Sequence, residues 1–460
     1  MPYLLSVHLN FGILTRKEWQ ALAIYLLLLV MSLFMGTQLL AISTPLAQIT
    51  VYRLLALAVY PLLFMQVILD NHQVKIIPRS AASRFLLVYF VWWIIGLITG
   101  LWAEDLKGWI QVSFLMTIGL GSILALYFWT ENDRMWLNLL KGSWLMMTLL
   151  VAWGYFEILT NHYLFADMSK LDKYSTFASQ PWTRIPITTF ANQNDYATML
   201  LAYLSVCICL YLLSSHYLKR IMYLMAYLLA SFLIFQSGSR MSLICLLLYS
   251  GFLLVSSIRF DDSPKLLMRS GIILACGLGL MILLIPHLQD KLAEIFYIGG
   301  PAGGLSGDTK RMNSWRNGLI FLAQTGGLGV GSGNIENWAK LRGFWPTNEI
   351  TNMHNWWMEI LVSNGLVAFV LYIVGYFGLC QRLFQIVKQF RGSLTAQLAY
   401  PLFGFLLIFI LGSITSANNM LIEWHWVFFG LLIAFVKIVD QEVLRQGNVH
   451  QLFQQGSARK

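Results

Sequence analysis

The chain has 460 residues, 58% of them hydrophobic and only 11% charged, and its mean hydropathy is +0.65. A soluble domain carries roughly 25% charged residues, so this composition excludes a water-soluble globular protein and implies a lipid bilayer. The formal net charge of +10 does not imply nucleic acid, because in such a chain basic residues are first of all topology signals.

Twelve apolar segments follow one another, near 20–42, 50–69, 85–102, 109–129, 136–159, 191–213, 219–236, 240–258, 268–288, 356–380, 397–417 and 420–437. Most come close to the roughly 20 residues that a spanning helix needs. The first continues without a small-residue cleavage site, so no cleavable signal peptide is expected. Basic residues alternate between the connections. One set holds Arg16 and Lys17, Lys75, Arg79 and Arg84, Arg134 and Lys141, Lys219 and Arg220, Arg259, Lys265 and Arg269, and Arg382, Lys388 and Arg391. The other set is short and nearly free of them, apart from two long polar stretches near 160–190 and 289–355. The positive-inside rule then puts both termini in the cytoplasm and the two long loops outside. The expected fold is an all-α integral membrane protein of about 12 transmembrane helices. It forms a single polytopic domain over 1–460, with one large extracytoplasmic loop at 289–355 that carries short helices.

This topology places the ionisable residues of the spans on one side. Arg53, Glu157, Arg240, His354, Glu423 and His425 all fall at outer ends. Charge at membrane depth is costly and marks candidate functional sites, although long side chains at helix ends also snorkel to water. All five cysteines (Cys207, Cys209, Cys245, Cys276 and Cys380) fall in apolar runs, so no disulfide is expected.

Three polar motifs stand out. QSGSRMSL joins two spans through a very short turn, which leaves Arg240 little room and points it into a protein cavity; a snorkelling arginine is the alternative. Guanidinium suits a diphosphate because its fork of donors can bind two oxygens. DTKRMNSWRNGL holds Lys310, Arg311 and Arg316, and in a helix Arg311 and Trp315 share a face; a solvated basic surface accounts for the spacing equally well. GGLGVGSGN at 326–334 lacks the Lys-Ser/Thr ending of a phosphate-binding loop and reads as a flexible turn.

His354 precedes Asn355, a natural helix N-cap, and the pair Trp356-Trp357, which fits an interfacial aromatic belt. No second ligand lies at metal-binding spacing, so zinc is not expected. Two readings of His354 stay open: a hydrogen-bonded boundary residue, or a base kept neutral by the positive end of the following helix.

The run His354-Asn355, nine residues, Gly365 and then a small residue (Ala368) resembles the signature of the O-antigen ligase and O-antigen polymerase superfamily, with alanine where that pattern prefers glycine. FANQNDYATML, GSRMSL and DTKRMNSWRNGL followed by GGLGVGSGN are similar to its other segments, in order, across about 190–380. The resemblance implies a metal-independent glycosyltransferase in the plasma (inner) membrane, without a cofactor. Its donor would be a polyprenyl-diphosphate-linked oligosaccharide and its acceptor a glycan, lipid or wall polymer, with polysaccharide-assembly proteins as further partners. It implies His354 as catalytic base, Arg240 and Arg311 as diphosphate ligands, and Arg316 as a further substrate-binding residue. The first outer connection, STPLAQIT, lacks the Asp-x-Asp of a metal-dependent polyprenyl-sugar transferase. A secondary transporter or lipid-linked sugar flippase is the competing reading, but it would place binding residues at the bilayer midplane in repeated, broken helices. A scaffold of a wall-synthesis complex would have no need of His354.

Overall fold

A computed structural model of the chain describes residues 16–33, 39, 41–44, 48–69, 80–172, 175–259, 306–348, 350–415 and 423–457. Helices dominate these residues: α1 (Arg16–Leu33), α2 (Val51–Leu69), α3 (Ala81–Ile98), α4 (Leu106–Trp129), α5 (Asp133–Thr160), α6 (Met168–Leu171), α7 (Gln193–Leu213), α8 (Tyr217–Gln236), α9 (Arg240–Arg259), α10 (Gly307–Gln324), α11 (Ile335–Arg342), α12 (Trp356–Gln389), α13 (Leu394–Gly412) and α14 (Trp424–Ser457). The exception is a small antiparallel hairpin, β1 (Ile42–Ser43) with β2 (Gln48–Ile49). Ile42, expected at the end of the first span, therefore lies in a strand.

Among the described residues, eight helices are long and apolar enough to cross a membrane. Among the described residues, α1 and α9 carry shorter apolar runs, Trp19–Leu33 and Arg240–Val255. The segment expected at 268–288, with Cys276 and residues 289–305 of the long loop, lies outside the described residues. The other four cysteines are buried and free.

Local sequence explains where the helices begin. Ser80, Asp105, Asn132, Asn192, Ser306, Asn355 and Ser393 each accept a hydrogen bond from the first turn that follows them, satisfying N–H groups that have no partner inside the helix. The most enclosed helix is α7, which packs against α5, α8, α9 and α13. α4 packs against α2, α3 and α14, and α12 joins the two groups by contacting α3 and α13.

The bundle has two ends of different character. At one end Lys437 donates to the carbonyls of Tyr127 and Thr130 at the end of α4. There too, the Asp440 carboxylate accepts from Arg382 and from the Ala81 N–H. At the opposite end Arg53 pairs with Glu423, and the Gln48 carbonyl accepts from Arg53 Nη1 at 2.5 Å. Glu157 accepts from the N–H groups of Ile187 and Thr188, both at 2.9 Å. Arg184 donates to the carbonyls of Ile158 and Leu159 at the end of α5. These buried charges are matched to backbone groups or to each other, as burial requires.

α12 is longer than the expected 356–380 and is broken at Gly365, whose φ of 82° and ψ of 177° suit essentially glycine alone. The break is filled by the glycine-rich turn before α11. Val330 N–H donates to the Val362 carbonyl at 2.8 Å, Gly331 N–H to Ser363 at 3.0 Å, and Leu366 N–H to Gly327 at 2.9 Å. A Cβ at Gly329 would meet the Gly365 nitrogen at 2.6 Å, and a Cβ at Gly365 would meet the Leu328 carbonyl oxygen at 2.5 Å. The 326–334 segment is therefore an ordered plug and not the flexible turn that its composition suggests. Its side chains lock it further: Ser332 N–H donates to Thr99 Oγ1, Asn364 Nδ2 to Ser332 Oγ, and Trp92 Nε1 to Asn364 Oδ1. Gly365→Ala is expected to destabilise the protein by at least about 1–3 kcal/mol, the scale of one strained backbone position. Gly251→Ala, a helical position with nothing within 4 Å of the added atom, should be neutral or slightly stabilising. Thermal unfolding of both variants in detergent checks this; equal midpoints would contradict the plug.

Candidate functional site

The segment Asn352-Met353-His354 crosses the end of the bundle between α10 and α12. Its backbone is held at each residue. Ser314 donates to the Asn352 carbonyl at 2.8 Å, Trp315 Nε1 donates to the Met353 carbonyl at 2.8 Å, and Asn355 caps α12. Trp356 N–H then donates to the Ser413 carbonyl at 3.0 Å. This network keeps His354 in the left-handed region at φ 46°, a conformation that non-glycine residues take at a small cost and hold only where the surroundings enforce it.

His354 is partly buried and its Nδ1 is enclosed without a hydrogen-bond partner. Burial pushes its pKa down to about 4, and the nearby Arg311 charge adds to the effect. The direction agrees with a neutral imidazole. The causes are desolvation first and the Arg311 guanidinium second.

Arg240 and Arg311 meet on a residue that sequence reasoning did not single out. Arg240 Nη1 lies 3.2 Å from the Asp308 carboxylate, and Arg311 Nη1 lies 4.0 Å from it. Asp308 and Arg311 share a face because they stand three apart on α10, a spacing readable in DTKR once that segment is known to be helical. Arg240 is 43% exposed at its side chain, so it does not point into a closed cavity as the short SGS turn suggests. The Ser237–Ser239 turn packs inward, and the arginine leaves it toward α10. Burial lowers the Arg311 pKa below its ordinary value, Asp308 opposes this and Arg240 reinforces it. One carboxylate between two guanidiniums leaves one net positive charge facing His354.

Arg316 is elsewhere. It lies about 140° further round α10 than Arg311, with its guanidinium 5.0 Å from the Trp345 ring centre and Nη1 3.4 Å from Asn313 Oδ1. No contact brings it to His354. Trp315, four residues after Arg311, serves the site by fixing the Met353 carbonyl, and Asn317 serves it by accepting from the N–H groups of Phe344 and Trp345.

Trp356 is not an interfacial belt residue. It is almost fully buried, with its ring centre 5.9 Å from Trp92 and 4.5 Å from His425. His425 is itself enclosed by Phe409 and Trp424. Of the other ionisable residues expected at this end, Arg53, Glu157 and Glu423 are taken up by the structural pairings already described. Among the described residues, no three His, Cys, Asp or Glu side chains gather as a metal site would need.

Chemically, the Arg240–Asp308–Arg311–His354 cluster offers two forked donors for anionic oxygens and one neutral nitrogen base. Its ion pairs are exposed enough to be worth no more than about 1 kcal/mol each, so Asp308 can yield to a stronger anion. Histidine-selective NMR titration checks the electrostatics. The His354 midpoint should lie well below 6.5, and Arg311→Gln should raise it without restoring the ordinary value, because burial is the larger cause. A wild-type midpoint at or above 6.5 would contradict the enclosed, cation-facing imidazole.

Comparison with known proteins bears on the same segments. Residues 224–373 match a family described as O-Antigen ligase. Over 439 residues the chain is 26% identical to the teichuronic acid biosynthesis protein TuaE of Bacillus subtilis (strain 168), covering 92% of this chain and 86% of that relative. The matched region contains Arg240, Asp308, Arg311 and His354 together.

Proposed function

We propose that this chain, which the two matches assign to the O-antigen ligase and polymerase superfamily and which its apolar helices make a multi-pass plasma-membrane protein, transfers an oligosaccharide from a polyprenyl diphosphate carrier to an acceptor hydroxyl at the outer face. The product is a cell-surface polysaccharide, made by polymerisation or ligation. The observation that carries this reading is the meeting of Arg240 and Arg311 on Asp308 beside the partly buried, neutral His354.

The acceptor hydroxyl gives its proton to the imidazole of His354 as its oxygen forms a bond to the anomeric carbon. The bond from that carbon to the diphosphate oxygen breaks, and the electron pair leaves with the diphosphate. Diphosphate is a good leaving group, so departure calls for charge stabilisation more than for an acid, and Arg240 and Arg311 supply it. A sugar hydroxyl is a poor nucleophile, and a positioned base contributes about 10² to 10⁴ in rate. Arg316, stacked on Trp345, is assigned to the shape of the loop and not to the diphosphate.

His354→Gln, at matched expression, should lower transfer by about 10² or more while donor binding persists; wild-type transfer would remove His354 from the mechanism. Arg240→Lys should fail nearly as badly as Arg240→Ala, because an ammonium keeps the charge but loses the fork. Because the free imidazole titrates near 4, the acid limb of transfer should lie nearer that value than 6.5. Transfer should survive strong chelation. For the outer-face assignment, a cysteine replacing Leu341, which is 69% exposed, should react with a membrane-impermeant label in intact cells. One replacing Lys388, at the opposite end, should stay protected. The inverse pattern would move the site to the cytoplasm.

A further inference from the structure

A cavity lined in part by Asn352 lies beside the Asn352–His354 segment. It has a volume of about 270 Å³ and is walled by the start of α4, by α11 and by the first turns of α12. That size is close to the lower end of the roughly 300–1,000 Å³ of small-molecule sites. Its wall mixes apolar surface with polar side chains, among them Asp105, Glu336, Lys340, Glu359, Asn337 and Asn352.

The walls are rigid. Asp105 N–H donates to Asn334 Oδ1 at 2.7 Å, and a Cβ on Gly333 would meet the Gly108 carbonyl oxygen at 2.2 Å. Glu359 and Asn364 are almost fully buried on the broken helix. Three carboxylates and one ammonium give a formal charge of −2, opposite in sign to the Arg240–Arg311 cluster. The Asn352 Oδ1 is buried without a hydrogen-bond partner. Carboxylate oxygens and this amide oxygen are acceptors, so the cavity matches a ligand rich in O–H donors and repels an anion.

We propose that this cavity binds a neutral, hydroxyl-rich sugar of the acceptor glycan. This deepens the transferase reading and rests on it for the word acceptor, because Asn352 lines the cavity two residues from the base that would take the acceptor's proton. The cavity selects against a uronic acid or a phosphorylated sugar, while the arginine cluster takes the diphosphate. One short segment thus adjoins two sites of opposite charge.

Saturation-transfer NMR on the full-length protein in nanodiscs tests this, with methyl glucoside, the methyl glycoside of N-acetylglucosamine and methyl glucuronide as probes. At least one neutral glycoside should give a signal about fivefold or more above the glucuronide. Asn337→Ala should cut the neutral signal about fivefold, the worth of roughly one hydrogen bond. Glu336→Lys, at an exposed rim position, takes the formal charge from −2 to 0 and should raise the glucuronide relative to the neutral probe. The proposal is overturned if the glucuronide binds as well as the neutral glycosides in the wild type, if no probe gives a signal, or if the rim variants change nothing. His354→Gln leaves the cavity intact and should keep the sugar signal. Loss of transfer with that signal retained supports both readings, whereas wild-type transfer with the signal retained sinks the catalytic role and leaves the sugar site standing.

Discussion

The backbone break at Gly365 is the constraint on which the rest of the site depends. A spanning helix normally satisfies all its peptide groups internally, because lipid offers no partner for them. Here the Val362 and Ser363 carbonyls and the Leu366 N–H find theirs in a separate segment, the 327–331 turn. That exchange works only if two backbones approach without side chains between them, which is why Gly329 faces Gly365. Once the turn is docked, α10 on one side of it and α11 on the other are fixed relative to α12. The spacing from His354-Asn355 to Gly365 then acquires a physical meaning: it sets the length of helix between the capped start and the plugged break.

Rigidity and looseness are divided sensibly around this frame. The backbone of 352–356 is held by Ser314, Trp315, Asn355 and Ser413, so the imidazole of His354 cannot drift. The Arg240–Asp308–Arg311 contacts are long, and both Arg240 and Asp308 are considerably exposed. A base must be positioned before the reaction, whereas cationic ligands must rearrange around an incoming diphosphate. Weak surface ion pairs are suited to that, since breaking one costs about 1 kcal/mol or less.

Much of this was legible in the sequence, and the residues show why the remainder was not. Hydropathy and basic-residue alternation disclose an all-helical membrane protein, and the cap at Asn355 is visible because a cap depends on local sequence alone. Arg240 and His354 stand out because charge is rare in such a chain. The exposure of Arg240, the burial of Trp356 and the role of Asp308 depend on which helices meet, and no local pattern encodes that. The glycine-rich 326–334 segment is the clearest case. Its composition signals backbone freedom, and the same freedom serves equally for a loose turn and for a close approach to another backbone. Only the presence of Gly365 at the opposing position decides between them. Arg316 stands close to Arg311 in sequence, but five positions along a helix carry it to another face of α10, where its guanidinium lies over Trp345.

The two sites beside the 352–354 segment also bear on how such an enzyme would keep its substrates apart. Donor and acceptor in glycan assembly both carry sugars, so shape alone distinguishes them poorly. Charge distinguishes the two reacting ends, because the donor reacts at the carbon that bears its diphosphate and the acceptor at a hydroxyl remote from any. In the proposed reaction a cationic cluster on the Arg311 side and a formally anionic cavity on the Glu359 side sort the two ends by electrostatics, the cluster drawing the diphosphate and the cavity repelling it. The single chain segment beside them holds the one group, His354, that must serve both. Its depressed basicity is the cost of standing next to Arg311 in a partly buried position. In the proposed transfer, the same position puts an unprotonated nitrogen in the field of Arg311, and the nitrogen would become a stronger base as negative charge develops on the departing diphosphate.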